Sequence, residues 1–186
     1  MALDGVELVH LTGITTALGD SARELVVDVA RRARARGITV TFDPNYRPAL
    51  WRSAGDAVTA QVGVLGAVDW YFCGLDEGRT LFGADTPEEV VAAIRAAGAG
   101  EVVLRDGARG ALVRDGERLR EIPHAHVVDV VDEVGAGDAF AAGFVHGLLE
   151  GSNPVDCARV GNAVAARALR GTGDWETLPQ LAELQR

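Results

Sequence analysis

The sequence predicts an α/β fold in which helices cover both faces of a mostly parallel sheet. Short apolar, β-branched segments alternate along the chain with amphipathic segments of helical periodicity, which is the pattern of parallel sheets. Loops rich in glycine, proline or aspartate separate the two kinds of segment, and we find no internal repeat, linker or low-complexity tract. At 186 residues, the chain is therefore predicted to form one domain, residues 1–186.

Strands are predicted where valine, isoleucine, leucine or aromatic residues cluster and the cluster ends in a polar or glycine-marked loop. Asp115-Gly116 between two such clusters predicts a hairpin turn. The predicted strands are 6–14, 38–43, 69–73, 101–107 and 126–131, with a hairpin over 110–123.

Helices are predicted from apolar residues spaced three to four apart and from the residues at their starts. The Ser21–Glu24 and Thr86–Glu89 pairs have capping-box spacing, and Asn153 is a further cap. The predicted helices are 20–37, 54–67, 76–82, 86–98, 136–150, 153–170 and 178–185.

Charge and composition exclude several classes of protein. A net charge of −9 argues against a nucleic-acid partner, which needs a basic surface. No apolar run is long enough to span a membrane, and the first ten residues lack the pattern of a secretory signal. The two cysteines lie far apart in unlike contexts, which does not suggest a disulfide framework. We therefore expect a cytoplasmic protein without a nucleic-acid or membrane partner.

All 18 basic residues are arginine, and the chain contains no lysine. This excludes a Walker A loop, Schiff-base chemistry and a protein kinase, because each of these requires a lysine.

The segment VVDEVGAGDAF is the most informative in the chain. A strand followed by Gly135, Ala136 and Gly137, with a helix beginning near Asp138, is typical of an anion site, because backbone N–H groups can approach a ligand there. The residues alone leave two interpretations of Asp138 open. It caps the helix, or it accepts a hydroxyl proton beside a phosphate.

DEVGAGDAFAAGFVHGLLEG closely resembles the second signature of the ribokinase-like (PfkB-type) carbohydrate kinases, D-T-x-G-A-G-D followed by a helix of small residues. The resemblance implies that Asp138 is the catalytic base that deprotonates the sugar hydroxyl. It also implies that Gly135, Ala136 and Gly137 form the anion hole and that Asp132 is the family's first aspartate.

Other segments resemble the nucleotide side of the same family. In LRDGARGALV, Gly107 and Gly110 match a G-x-x-G turn, and Asn162 matches an asparagine near the adenine. FCGLDEGRTLFG resembles the N-x-x-E segment that orders magnesium and phosphates, with Glu77 as the glutamate and Gly74 in place of the asparagine. The resemblance implies ATP and Mg²⁺ as cofactors. The implied ATP-binding residues are Gly107, Gly110, Asp132, Gly135, Gly137 and Asn162.

FDPNYRPALW places Asp43, Asn45 and Arg47 at alternate positions after a strand. A guanidinium and an amide suit an anionic or hydroxyl-rich ligand, although a solvated turn held by its prolines is the simpler explanation from the residues alone. The segment resembles D-x-N-x-R-x-x-L-W of 2-keto-3-deoxygluconate kinases and fructokinases, and HLTGITTAL resembles a segment of the former. The resemblance implies that Asp43, Asn45 and Arg47 bind the substrate, a sugar acid whose carboxylate Arg47 helps to hold.

The resemblance covers the C-terminal portion of a family member. It implies a ribokinase-like three-layer α/β/α fold in which the N-terminal strand or strands and the β-lid are missing. The loss of a central strand leaves an unpaired sheet edge, so we expect self-association or homo-oligomer formation.

The implied function is ATP-dependent phosphorylation of a sugar acid, with 2-keto-3-deoxygluconate as the substrate. One alternative is a fructokinase-like sugar kinase. Another is a non-catalytic remnant that keeps nucleotide binding, which Gly74 and the missing lid favour. Glu133, which replaces the signature's threonine and adds negative charge near the phosphates, favours the remnant too, whereas Asp138 favours catalysis.

Overall fold

The computed structural model describes residues 3–124, 130–173, 176–180 and 183. Within them are six strands and seven α-helices, and the chain divides into two compact units, Met1–Leu104 and Arg105–Arg186. The α/β class predicted from the sequence is confirmed, since strands and helices alternate and the first three strands run parallel. The assignment of residues 1–186 to one domain stays a prediction.

The first unit has four strands in the order β1-β2-β3-β4. Leu8 lies opposite Thr39 in the parallel β1–β2 pair, and Thr41 lies opposite Trp70 in the parallel β2–β3 pair. The carboxyl ends of these strands therefore meet at one edge of the sheet, where α/β proteins bind their ligands. The elements are β1 (Leu8–Thr12), α1 (Gly13–Thr16), α2 (Asp20–Arg34), β2 (Thr39–Asp43), α3 (Ala54–Leu65), β3 (Trp70–Gly74), α4 (Leu75–Phe82), α5 (Pro87–Ala96) and β4 (Glu101–Arg105, whose last residue opens the second unit).

The central strands of the first unit are buried on both faces, which explains their nearly continuous apolar sequences. The rings of Phe42 and Tyr71 stack with their centroids 5.7 Å apart. The Tyr71 hydroxyl donates a 3.0 Å hydrogen bond to the side-chain oxygen of buried Gln61 on α3. This bond fixes α3 against the sheet and satisfies a buried phenol.

The second unit combines a hairpin with a helix pair. β5 (Ala111–Asp115) and β6 (Arg118–Ile122) are antiparallel, and their two-residue loop lies one position later than the Asp115-Gly116 turn that the sequence predicts. α6 (Ala136–Leu149) and α7 (Pro154–Ala168) pack backbone against backbone. A Cβ atom added to Gly143 would lie 2.9 Å from the Cα of Gly161, so only glycine permits this approach.

α2 begins at Asp20 as predicted, but the capping box predicted from Ser21 and Glu24 is wrong. Gly19, at φ 129°, is the N-cap, and no side chain caps the helix. Because the helix begins at Asp20, Ser21 already lies within it and cannot serve as the N-cap. Most of the strand predicted over 126–131 and half of the helix predicted over 178–185 lie outside the described residues. Among the helices that the structure describes, none is long and apolar enough to cross a membrane.

Candidate functional site

The glycine turn of the second unit leads into α6, and no described side chain caps the start of this helix. Gly135 is the N-cap of α6 in the left-handed conformation, at φ 77°. The first hydrogen bond of α6 runs from the Ala139 N–H to the Gly135 carbonyl at 2.8 Å. The N–H groups of Gly137 and Asp138 precede that bond and therefore have no partner within the helix. This arrangement can accept an anion.

Asp138 is the third residue of α6, and its side chain is exposed. The interpretation of Asp138 as the helix cap is therefore wrong, because the N-cap is Gly135. An exposed carboxylate at the open end of the helix is free to take a proton from a ligand hydroxyl. The catalytic role itself stays a prediction.

Arg105 brings a positive charge to the same turn. Its Nη1 donates a 3.0 Å hydrogen bond to the Gly137 carbonyl, and a Cβ atom added to Gly137 would lie 2.9 Å from Nη1. The guanidinium thus lies close to Gly137, where a larger residue would place its Cβ. The sequence does not single out Arg105, because Arg105 and Gly137 are 32 residues apart.

Asp132 holds the loop that leads into the glycine turn. Its Oδ1 accepts a 3.0 Å hydrogen bond from the Val134 N–H, and its Oδ2 accepts a 3.4 Å hydrogen bond from the Gly173 N–H. These hydrogen bonds, that from Val134 first, hold the pKa of Asp132 below its ordinary value. Asp132 is therefore a carboxylate that fixes two backbone segments, and its predicted contact with ATP stays a prediction.

We expect Asp132 to make the stability of the chain depend on acidity. Because the folded-state pKa is lowered, the stabilisation is present above about pH 4 and is lost as the pH falls through the folded-state value. Asp132→Asn should therefore be less stable than wild type at neutral pH, and the difference should shrink in acid. Denaturant unfolding at several pH values measures this. Glu117→Gln in the exposed hairpin loop is the control, and a difference that grows in acid would contradict the assignment.

The predicted G-x-x-G turn forms a tight 3-10 turn over Gly107–Arg109. The Asp106 N–H donates to the Gly110 carbonyl at 2.8 Å, and both glycines have positive φ, 53° at Gly107 and 106° at Gly110. Asn162 is only 4% exposed, and its Nδ2 donates to the Ile122 carbonyl at 2.9 Å. The predicted contacts of Gly107, Gly110 and Asn162 with nucleotide stay predictions.

The loop after β2 in the first unit has an unusual, fixed backbone. Asn45 has φ 42° and is the single non-glycine residue with positive φ among those described. Its N–H donates a 2.9 Å hydrogen bond to Oδ1 of Asp43, which is 1% exposed. Arg47 follows with an exposed side chain. Asp43 therefore shapes the loop, while Arg47 is the residue available to a ligand.

Glu77 joins this loop to α4. Its Oε1 accepts a 2.5 Å hydrogen bond from the Tyr46 N–H, and its Oε2 accepts a 3.0 Å hydrogen bond from the Gly74 N–H. On the other side of the loop, Gly13 lies so close to the Pro44 backbone that an added Cβ would be 2.9 Å from the Pro44 Cα. The sequence predicts neither contact. The predicted link between Glu77 and Mg²⁺ stays a prediction.

Comparison with known proteins decides the family. A family model described as pfkB family carbohydrate kinase matches residues 1–181. The chain belongs to the PfkB family of carbohydrate kinases. The family recognised from the glycine turn is therefore confirmed.

Relatives in the PfkB family are similar over nearly the whole chain. The 2-dehydro-3-deoxygluconokinase of Bacillus subtilis (strain 168) is 36% identical over 94% of this chain and 54% of its own length. The 2-dehydro-3-deoxygluconokinase of Thermoproteus tenax is 37% identical over 98% of this chain and 55% of its own length. This PfkB chain thus spans little more than half the length of these curated relatives.

A solved structure shows the same fold. The fructokinase of Vibrio cholerae O395, in its fructose-, ADP- and calcium-bound form, has a TM-score of 0.89 at 26% identity. The match covers 100% of this chain and 61% of that one. The predicted ribokinase-like α/β class is therefore confirmed for this PfkB chain.

Proposed function

We propose that this chain catalyses transfer of the γ-phosphoryl group of ATP to a hydroxyl of a sugar acid, 2-keto-3-deoxygluconate. The observation that carries the proposal is the open start of α6, where Gly137 and Asp138 present N–H groups beside the Arg105 guanidinium and an exposed carboxylate. Donors for a phosphate and an acceptor for a proton are what phosphoryl transfer requires of a protein. The names of the two relatives support the sugar acid.

In the proposed reaction, Asp138 takes the proton of the substrate hydroxyl. The hydroxyl oxygen then forms a bond to the γ-phosphorus while the bond from that phosphorus to the ADP oxygen breaks. The N–H groups of Gly137 and Asp138, with Arg105, stabilise the negative charge on the transferring group. Gly135 and Ala136 shape the turn that aims those groups.

Arg47 and Asn45 are proposed to bind the sugar acid, with the exposed Arg47 guanidinium against its carboxylate. ATP is proposed to bind through Gly107, Gly110, Asp132, Gly135, Gly137 and Asn162.

Among the described residues, no group of three or more histidine, cysteine, aspartate or glutamate side chains could hold a metal ion. This fits Mg²⁺ that is bound chiefly by the phosphates of ATP, as is usual for this ion. Self-association and a cytoplasmic location are further proposals.

The proposal is tested by ADP release from Mg·ATP with 2-keto-3-deoxygluconate, with fructose, and without a sugar. We expect release that depends on the sugar acid and exceeds that with fructose. Faster release with fructose would favour a fructokinase. ATP binding without sugar-dependent release would instead identify a nucleotide-binding remnant.

A further inference from the structure

Glu77 lies where two neighbouring strands of the first unit end. It is the third residue of α4, which directly follows β3, and the loop of Asn45 and Arg47 directly follows β2. Because β2 and β3 are parallel neighbours, the start of α4 lies beside this loop. The hydrogen bond from the Tyr46 N–H to Oε1 of Glu77 spans that junction at 2.5 Å.

The bond falls at the residue that separates the two proposed substrate ligands. Tyr46 stands between Asn45 and Arg47, and its N–H belongs to the peptide that joins it to Asn45, so the bond to Glu77 fixes that peptide plane, one residue before Arg47. A hydrogen bond to an ionised carboxylate is about twice as strong as one between neutral groups. The second oxygen of Glu77 accepts the Gly74 N–H at 3.0 Å, which locks the carboxylate in its orientation.

The loop needs such a restraint because its backbone is strained. A non-glycine residue at positive φ lies in a sparsely populated conformation, and Asn45 at φ 42° is of this kind. The loop holds this shape through three contacts, which are the Asn45 N–H to Asp43, the Pro44 backbone against Gly13, and the Tyr46 N–H to Glu77. The contact of Glu77 comes from a charged side chain on a separate element, α4.

We infer that Glu77 is a positioning residue for the sugar-acid loop and acts through the Tyr46 backbone. This inference rests on the proposed function of Asn45 and Arg47. The contacts of Glu77 link it to the loop that carries the proposed substrate ligands, whereas the resemblance to the N-x-x-E segment implies a role in ordering Mg²⁺. Removal of the carboxylate therefore lowers the affinity for the sugar acid.

Steady-state kinetics of Glu77→Gln test the inference, with the sugar acid, Mg·ATP and free Mg²⁺ varied in turn. Glutamine keeps the size of the side chain but can accept only one of the two backbone N–H groups. We expect KM for 2-keto-3-deoxygluconate to rise on the order of tenfold, the usual effect of losing a charge-assisted hydrogen bond. KM for Mg·ATP and the half-saturating Mg²⁺ concentration should stay at wild-type values.

Glu89→Gln is the matched control. Glu89 is the third residue of α5, and its Oε2 accepts the Thr86 and Asp85 N–H groups at 3.1 Å, so it has the same capping role without contact to the loop. Both variants should lose thermal stability, but only Glu77→Gln should alter KM for the sugar acid. A raised Mg²⁺ requirement with unchanged sugar KM, or equal kinetics in the two variants, would overturn the inference.

Hydrogen exchange separates failure of this inference from failure of the proposed function. The Tyr46 amide should exchange faster in Glu77→Gln than in wild type or Glu89→Gln, whatever the chain catalyses. If wild type shows no sugar-dependent ADP release but the Tyr46 amide responds as expected, the proposed function fails while the link between Glu77 and the loop stands. An unchanged exchange rate at Tyr46 refutes the link.

Discussion

Asp138→Asn should lower the rate of sugar-dependent ADP release by about 10²- to 10⁴-fold, the range for loss of a general base. Asparagine has nearly the same shape as aspartate but cannot accept the hydroxyl proton. The exposed position of Asp138 on the first turn of α6 means that the variant should fold. ATP should still bind, because the N–H groups of the turn and Arg105 are unchanged. Turnover and ATP affinity, measured on the same preparation, check both expectations.

Asp156→Asn is the control for the loss of a negative charge at a helix start. Asp156 is the third residue of α7, as Asp138 is of α6. Each substitution removes a favourable charge–dipole interaction of about 0.3–1 kcal/mol. Asp156→Asn also weakens the hydrogen bonds that the Asp156 carboxylate accepts from the side chains of Asn153 and Arg159, at 2.7 and 2.6 Å. The control should therefore be at least as destabilised while its turnover stays at the wild-type rate. Retention of more than about a tenth of wild-type turnover by Asp138→Asn would be inconsistent with a general base.

Features that depend on neighbouring residues could be predicted from the sequence. The capping box of α5 is confirmed because Thr86 and Glu89 lie within one helical turn and interact directly. The same spacing fails at Ser21–Glu24, since a glycine in a conformation that other residues rarely adopt starts α2 earlier. A short motif therefore predicts an element well only when the preceding backbone is compatible with it.

The same distinction between neighbouring and distant residues applies to the candidate site. The glycine turn could be predicted because Gly135, Gly137 and the start of α6 are contiguous in the sequence. The Arg105–Gly137 and Tyr46–Glu77 contacts could not, because they join residues 32 and 31 positions apart and depend on strand order. The resemblance to a family supplied Glu77 as a residue of interest, but the bond that it makes is visible only in three dimensions.

Gly110→Ala should have the largest effect on stability, a loss of about 3 kcal/mol or more in the free energy of unfolding. Gly110 adopts φ 106° and ψ −128°, which residues with a Cβ rarely adopt. An added Cβ would contact the Ile122 carbonyl oxygen and lie 2.5 Å from the His124 nitrogen. Both are backbone atoms, so relief requires movement of the end of β6. Urea unfolding at equilibrium measures the loss.

Gly107→Ala in the same turn separates structure from nucleotide binding. Gly107 also has positive φ, 53°, but an added Cβ would meet nothing within 4 Å, so the cost should be only about 1 kcal/mol. The backbone that Gly110 contacts is also held by Asn162, whose amide donates to the Ile122 carbonyl. Gly110 and Asn162 thus stabilise one segment, and that role alone accounts for a glycine and a buried asparagine there. If Gly107→Ala weakens ATP binding while remaining stable, the nucleotide contact of this turn belongs to Gly107. Wild-type stability of Gly110→Ala would refute the packing described for the end of β6.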